Sequence, residues 1–318
     1  NSVNVKDSDL KLFFRQLANI GKGQVSPDVW WQVKEELRLE LASRPELLFE
    51  RERFLLDEDL FQSLQIGDVL ACVFNVDADA GASAAAAGGG EIEALVRPSN
   101  RQEIALSLKA AGQPFALIKI GDISGWLKEE LSGYTVVEGY GDDSFFQRLN
   151  ADDSSINILL GSRSFYEGWD SNRPKVVTFI NIGVGVDARK FILQSVGRGV
   201  RVEPLPGKRR RLRALYNANQ VGEAQFAAVH DRALPLETVF ILGTNRQALH
   251  TVMEQMDQQG GKDAAETLAH GLAPRNGRLA ILTNGGGAGI VATDLLADEG
   301  GEMASILPRT IAQLDKKM

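Results

Sequence analysis

Two arginines occupy positions that suit phosphate chemistry. Arg198 and Arg201 lie three residues apart in the run Gln194-Ser-Val-Gly-Arg-Gly-Val-Arg201, on a predicted helix. Residues three apart face the same side of a helix, and a guanidinium makes bidentate contacts with phosphate. The pair is therefore suited to stabilising the negative charge that develops on a transferring phosphoryl group. The alternative is a helix end whose arginines pair with Glu203 or Asp170.

A second run of polar residues precedes these arginines. Gly161-Ser-Arg-Ser-Phe-Tyr-Glu-Gly-Trp-Asp170 follows an apolar segment, Ile156–Leu160, and ends in a carboxylate. This order predicts a βα-loop that ends in a carboxylate, and a ligand contact is favoured only in combination with the arginine run. The alternative is a solvated loop in which Trp169 is a packing residue.

Together the two runs resemble motifs V and VI of the superfamily 2 helicases. Their sequences are most similar to those of the Res subunit of type III restriction enzymes. The resemblance also includes Phe179-Ile-Asn-Ile182 and covers residues 92–258. It implies a RecA-like motor lobe that uses ATP and Mg²⁺ on duplex DNA. Arg198 and Arg201 would be arginine fingers, and Gln194 would contact the γ-phosphate. Asp170 would contact the ribose, and Gly168 and Gly197 would also lie at the nucleotide. The expected nucleic-acid contacts in the loop are Ser162, Arg163 and Ser164.

In this family, a first RecA-like lobe carries the rest of the ATP site. The 318 residues contain no Gly-x-x-x-x-Gly-Lys-Ser/Thr run, and Asp57–Asp59 is a weak imitation of a Walker B acid that is better explained as a solvated acidic stretch. We therefore expect a first RecA-like lobe, a nuclease domain and a methyltransferase subunit as partners. The chain alone is not expected to turn over ATP. A non-catalytic RecA-like scaffold is a further alternative.

A basic cluster stands out in this acidic chain. Lys208, Arg209 and Arg210 begin the run Lys208–Arg213, while the formal net charge of the whole chain is −7. Such a cluster can follow a DNA backbone, although charge runs are more often simply solvated. Both interpretations stay open from the sequence.

The C-terminal part has a different character. Residues 264–318 resemble the start of the flavodoxin-like domain in NDP-forming acyl-CoA synthetases, with a strand from Arg278, a Thr-Asn-Gly-Gly-Gly loop and a helix over Ile290–Leu296. The loop Gly285–Gly289 could bind phosphate or CoA on backbone amides, or be a tight turn. A fragment of such a synthetase is therefore the main alternative function.

The hydrophobic pattern predicts an α/β fold: a RecA-like parallel sheet with helices on both faces. A helical segment (1–76) and a low-complexity linker (77–91) precede the lobe (92–258), and a partial flavodoxin-like βα segment (259–318) follows it. Within the first segment, residues 66–76 suggest a strand. The elements predicted in and beyond the lobe are strands at Ile92–Val96, Phe115–Ile120, Tyr134–Glu138, Ile156–Leu160, Val176–Ile182 and Glu237–Leu242, and helices at Asn100–Ala111, Ser124–Leu131, Ser144–Leu149, Ala188–Val196 and Asn245–Met256.

Composition narrows the classes of protein. One cysteine, Cys72, excludes an internal disulfide framework and fits a cytoplasmic location. Three histidines spaced twenty residues apart, without acidic or thiol partners at ligand spacing, do not indicate a metal site. The sequence has no run of 18 apolar residues, so no membrane span is expected. The N-terminus, without a start methionine or signal peptide, suggests a chain that begins inside a longer protein.

Overall fold

The computed structural model describes residues 8–43, 57–77, 90–138 and 141–161 and most of 171–251. Within the last range, positions 172, 181, 183–184, 186–187, 189–190, 193–194, 197–198, 200–201, 209 and 248 are not described, and beyond it only 278–279, 293, 296, 302–303 and 305 are. The chain divides into two compact units, residues 1–168 and residues 169–318. The predicted lobe 92–258 is therefore shared between the two units.

Four described helices of the first unit precede its sheet in the sequence. They are α1 (Asp9–Gly21), α2 (Pro27–Ser43), α3 (Glu58–Ser63) and α4 (Ile66–Phe74). The Ser8 hydroxyl accepts from the Lys11 amide at the start of α1, and Asp57 Oδ1 accepts from the Leu60 amide at 2.9 Å at the start of α3. Asp57 is thus a helix cap, which agrees with a solvated rather than a Walker B role for this acidic stretch.

The first unit contains a five-stranded mixed sheet. Its strands are β1 (Ile92–Val96), β2 (Ile104–Leu108), β3 (Pro114–Lys119), β4 (Tyr134–Glu138) and β5 (Ile158–Gly161), in the order β4-β1-β2-β3-β5. Pairs β1–β4 and β3–β5 are parallel, whereas β1–β2 and β2–β3 are antiparallel. Four strands therefore run in one direction and β2 runs against them. The α/β class is confirmed, but the sheet is not wholly parallel as predicted.

The predicted helix Asn100–Ala111 is wrong, because β2 occupies this segment. All five residues of β2 are buried, and a strand covered on both faces shows no alternation of polar and apolar residues. Turns closed by Asn100 N–H to Arg97 O and by Glu103 N–H to Asn100 O return the chain from β1. The sequence pattern alone did not distinguish this short buried strand from a helix.

Two further predicted elements differ in the structure. Most of the strand predicted over residues 66–76 is instead the helix α4 (Ile66–Phe74). Leu70 and Phe74, four apart, are buried on one side of it, and the Asp68 carboxylate accepts from the Gln65 amide at 2.7 Å. The segment Ser144–Leu149 forms successive turns, closed by Arg148 N–H to Phe145 O and Leu149 N–H to Phe146 O, and not a helix.

One hydrophobic cluster joins the helices to the sheet. Phe14 and Leu17 of α1, Leu70 and Phe74 of α4, and Leu127 of α5 (Ser124–Glu130) belong to it. Its strand residues include Ile92, Ala94, Val96, Ile104, Leu106, Leu108, Ala116 and Ile118. In register these strand positions share one face, so α1, α4 and α5 pack on the same face of the sheet.

The described part of the second unit includes another parallel strand pair and two helices with defined ends. The elements are β6 (Val176–Phe179), α6 (Leu212–Asn217), α7 (Glu223–Glu237) and β7 (Phe240–Gly243). Strand β6 pairs with β7 in parallel register. The two predicted strands here are confirmed with shifted ends, because Glu237 still belongs to α7. Helices α6 and α7 were not predicted.

The C-terminal part contains a short parallel pair, β8 (Arg278–Leu279) with β9 (Glu302–Met303). Thr293 and Leu296, between them in sequence, are helical. This order agrees with the predicted strand and helix. Among the described residues, no helix has both the length and the apolar character needed to cross a bilayer.

Candidate functional site

Most of the residues predicted to carry the chemistry lie outside the described residues. Lys208 and Arg210 are described. The roles of the others therefore stay predictions from the sequence: Ser162, Arg163, Ser164, Gly168, Asp170, Gln194, Gly197, Arg198, Arg201 and Arg209.

The described positions around the second run form a helix that packs on β6. Phe191, Ile192, Ser195, Val196 and Gly199 are helical, in agreement with the predicted helix Ala188–Val196. Ile192 and Val196 are buried in one cluster with Phe179 of β6. The buried residues follow helical spacing because one side of the helix faces the strand pair.

At Gly199 this helix comes very close to the strand pair. A Cβ built on Gly199 would lie 2.5 Å from Val239 Cγ2, immediately before β7, and 3.6 Å from Val177 Cγ2 of β6. Only a glycine allows this approach without displacement of its neighbours. The glycine between the two predicted arginine fingers thus fixes the distance between helix and strands.

The structure describes the first residue of the first run and the residue that follows the run, one in each unit. Gly161 closes β5 at one edge of the five-stranded sheet, where it pairs with Lys119 of β3. In the second unit, Ser171 is buried and its hydroxyl accepts from the Arg173 amide at 3.2 Å. Ser171 therefore forms a local turn just ahead of β6.

The basic run begins in a tight turn. Lys208 N–H donates to Leu205 O at 2.9 Å, and Gly207 between them has φ of 71°. Pro206 followed by a glycine at positive φ is typical of a type II turn. The Glu203 carboxylate accepts from the Gly207 amide at 2.7 Å. Glu203, weighed from the sequence as a partner for the arginines, thus holds this turn.

The members of the basic run have different surroundings. Lys208 is exposed, and its ammonium donates to Gln220 Oε1 at 2.9 Å. Arg211 is mostly buried, with Nε 3.7 Å from Glu237 Oε2, and Arg213 lies over the Phe226 ring at 5.6 Å. The run is therefore neither uniformly solvated nor uniformly available to a ligand.

Glu237 is the buried acid that anchors the end of this run. Its Oε1 accepts from the Leu212 amide at 2.7 Å, at the start of α6. Burial lowers the pKa of Lys175 below its ordinary value, and the negative charge of Glu237 partly opposes this effect. Glu237 thus connects the last turn of α7, the start of α6 and the segment before β6.

An aromatic ladder next to the basic run was missed from the sequence. The Tyr216 and Phe226 rings stack at 4.5 Å with an angle of 22°, and the Phe226 and His230 rings lie 4.6 Å apart. Tyr216 also lines a cavity of about 500 Å³, together with Asn217, Asn219, Val221, Gly222 and Glu223. Phe226 and His230 are four apart on α7, a spacing that could have signalled the contact, but Tyr216 joins them only across a turn.

The carboxyl ends of the parallel strands in the first unit carry a charged network. Such ends are where open α/β sheets commonly bind ligands. Here Arg97, just after β1, contacts the buried Glu103 at 3.3 Å. The Ser144 hydroxyl donates to both oxygens of the Glu103 carboxylate at 3.1 Å, and the Phe146 amide donates to Oε1.

A second arginine at this edge is also held by acids. Arg101 contacts Asp122 at 2.8 Å and Glu138 at 3.3 Å. The Ser124 hydroxyl donates to Asp122 Oδ1 at 2.6 Å, and this hydrogen bond together with Arg101 lowers the pKa of Asp122. Because carboxylates already bind both arginines, this edge is a structural network and a weaker candidate for anion binding than the second unit.

Among the described residues, no group of three or more histidine, cysteine or acidic side chains could hold a metal ion. Comparison with models of known protein families, with curated proteins and with solved structures finds no match to this chain. The site is therefore interpreted from its own residues.

Proposed function

We propose that this chain provides the second motor lobe of an ATP-dependent DNA translocase of the type III restriction kind. In this proposal Arg198 and Arg201 stabilise the charge on the γ-phosphoryl group, and Gln194 contacts that group or its water. Gly168, Asp170 and Gly197 lie along the nucleotide. ATP and Mg²⁺ are held mainly by a first RecA-like lobe, which a partner or another segment supplies.

This proposal rests on the packing of the helix whose sequence includes the arginine run. Ile192 and Val196 bury one side of it against β6, and Gly199 lets it approach Val239 closely. Phosphoryl transfer depends on rigid placement of charged groups. A helix fixed this closely to a parallel strand pair is suited to present arginines at a constant position.

The DNA part of the proposal rests on the basic run and the serine loop. The exposed ammonium of Lys208 supports a contact with phosphate. Arg210, Arg209 and the loop residues Ser162, Arg163 and Ser164 complete the proposed contacts. Duplex DNA and a methyltransferase subunit that recognises the site are the proposed partners, and a nuclease domain would cut.

The deciding experiment measures ATP hydrolysis in an assembly that contains this chain and a first lobe. Arg198→Ala and Arg201→Ala should each lower kcat by about 10³-fold or more. Arg232→Ala, which changes an exposed arginine of α7, is the matched control and should leave kcat unchanged. Equal turnover in all variants would show a non-catalytic scaffold. The chain alone should show no DNA-stimulated turnover.

A second candidate function rests on the C-terminal pair β8–β9. Parallel pairing of two strands with helical residues at 293 and 296 between them suits a βαβ unit. We keep the synthetase fragment, with CoA or phosphate at Gly285–Gly289, as the alternative. Calorimetric binding of CoA without any binding of DNA would favour it, and Gly287→Asp should then abolish the CoA signal.

A further inference from the structure

The aromatic ladder of α6 and α7 ends at a cavity. Phe226 lies between Tyr216 and His230, so one face of the Tyr216 ring is covered by Phe226. Tyr216 is half-buried and lines the cavity of about 500 Å³. Because Tyr216 lines the cavity, a planar molecule bound there is within reach of an aromatic ring, and aromatic rings prefer offset-stacked arrangements.

The turn that forms the cavity wall is tightly fixed. Gln220 N–H donates to Leu215 O at 2.8 Å and Asn219 N–H donates to Tyr216 O at 2.9 Å. Asn219 has φ of 56°, a left-handed conformation that asparagine tolerates at a helix end. Beneath the turn, Val221 is buried in a cluster with Leu212 and Leu215. These contacts hold the wall in shape.

The chemistry of the lining favours a neutral, hydrogen-bonding ring. Asn217 and Asn219 carry amides that can donate to and accept from a base edge. Glu223 also lines the cavity, and a carboxylate repels phosphate but can accept from an exocyclic amino group. An aromatic plane with amides and an acid around it therefore suits a nucleobase better than an anion.

Phosphate contact is available outside the cavity. Lys208 is exposed, and its ammonium is held by Gln220, whose chain neighbours Asn219 and Val221 line the cavity. A positive charge at the rim and an aromatic ring inside match the usual combination in proteins that bind single strands. The backbone of such a strand would pass Lys208 while one base enters the cavity.

We propose that the cavity next to Tyr216 binds an unpaired nucleobase of a single-stranded nucleic acid, with Lys208 on the adjacent phosphate. The base stacks on Tyr216 and its edge meets Asn217, Asn219 and Glu223. This site needs neither ATP nor the predicted arginine fingers.

The test is equilibrium binding by the full chain, without ATP, of a fluorescent single-stranded oligonucleotide of about 16 nucleotides. A strand of the same length without bases is the paired probe. The strand with bases should bind about 10-fold more tightly or better. Equal binding of the two strands to the unmodified chain would overturn the proposal, and this comparison needs no variant.

Variants then locate the base. Tyr216→Ala should remove the preference for the strand with bases, whereas Tyr216→Phe, which keeps the ring, should retain it. Trp31→Ala removes an exposed aromatic side chain of α2, in the first unit, and should change nothing. A Tyr216→Ala protein that folds normally by circular dichroism and keeps the full preference would place the base elsewhere and refute the site.

Two further experiments test whether Lys208 contacts phosphate and whether the bound base belongs to a strand or to a free mononucleotide. Lys208→Gln should weaken both strands and reduce the slope of log affinity against log salt by about 1; an unchanged slope would remove Lys208 from the proposal. Displacement of the strand by equimolar thymidine monophosphate would show a mononucleotide site and overturn the strand assignment. Because no step uses ATP, failure here is distinct from failure of the arginine variants in ATP hydrolysis.

Discussion

Gly199 and Val239 lie so close together that no side chain fits between them: a Cβ on Gly199 would be 2.5 Å from Val239 Cγ2. A methyl group added at Gly199 would meet the side chain of Val239, which is short and branched and has little freedom to move away. The contact joins the helix of the proposed arginine fingers to the segment that starts β7. It is therefore a point at which stability and the proposed motor function are linked.

Gly199→Ala should lower the free energy of unfolding in spite of the helix propensity of alanine. Overpacking costs about 1–3 kcal/mol, whereas the propensity gain is about 1 kcal/mol. Denaturant unfolding measures the difference. Gly185→Ala is the control, because a Cβ there meets no atom within 4 Å. A more stable Gly199→Ala protein would contradict the close packing.

Glu103→Ala should destabilise the first unit by about 2–4 kcal/mol. The change leaves the Arg97 guanidinium, the Ser144 hydroxyl and the Phe146 amide without their shared acceptor in a site where Glu103 is only 3% exposed. Urea unfolding is the measurement. Glu138→Ala, at a partner of Arg101 whose side chain is 67% exposed, should cost less than about 1 kcal/mol. Equal losses would mean that burial does not set the strength of these ion pairs.

Asp122 should give the first unit a pH-dependent contribution to stability. The Ser124 hydrogen bond and Arg101 hold its pKa below the ordinary value of 3.8. A lowered pKa in the folded state means a contribution that is present above 3.8 and is lost as the pH falls through the folded value. At neutral pH the Asp122→Asn protein should therefore have a lower free energy of unfolding than the unmodified chain. The difference between the two proteins should become smaller below pH 3.8.

The Ser124→Ala background provides the check on this assignment. Without the hydroxyl, the pKa of Asp122 should rise towards its ordinary value, and the pH-dependent part of the Asp122→Asn difference should become smaller. An unchanged pH profile in that background would assign the effect to Arg101 instead.

Asn75 should stabilise the first unit through two separable features. Its backbone is left-handed, with φ of 58°, and its side-chain amide donates to Pro114 O at 3.1 Å and to Ser155 O at 2.9 Å. Asn75→Gly keeps the backbone conformation and loses only the side-chain bonds, so about 1–2 kcal/mol should be lost. Asn75→Ala should lose more, because it adds backbone strain. A higher thermal unfolding midpoint for Asn75→Ala than for Asn75→Gly would contradict this.

The sequence predicted the class of the fold better than the course of the chain. Patterns of apolar residues correctly predicted β1, β3 and β4, because each is a distinct apolar run between polar segments. They failed at β2, where burial on both faces removes alternation, and at α4, where Val69, Leu70, Cys72 and Phe74 suit either structure. In α4 the capping contact between Gln65 and Asp68 favours the helix, and such contacts are weak signals in a single sequence.

Candidate sites were accessible from the sequence only where the residues are neighbours in the chain. The runs 161–170 and 194–201 stand out because their chemistry is contiguous. The aromatic ladder at Tyr216 depends on the Phe226 ring ten residues away, brought close by a turn. Glu237 reaches Leu212 across 25 residues and Arg211 across 26. Contacts of this kind follow from tertiary packing, which local patterns do not specify.

The reversed direction of β2 has a consequence for how the sheet forms. Because β1, β2 and β3 follow one another through short connections, their pairing closes small loops and carries a low entropic cost. Strands β4 and β5 must return to opposite edges of that meander across longer segments. Contact order therefore favours a central three-stranded nucleus that assembles first, with the outer strands and their carboxyl-end loops ordered last.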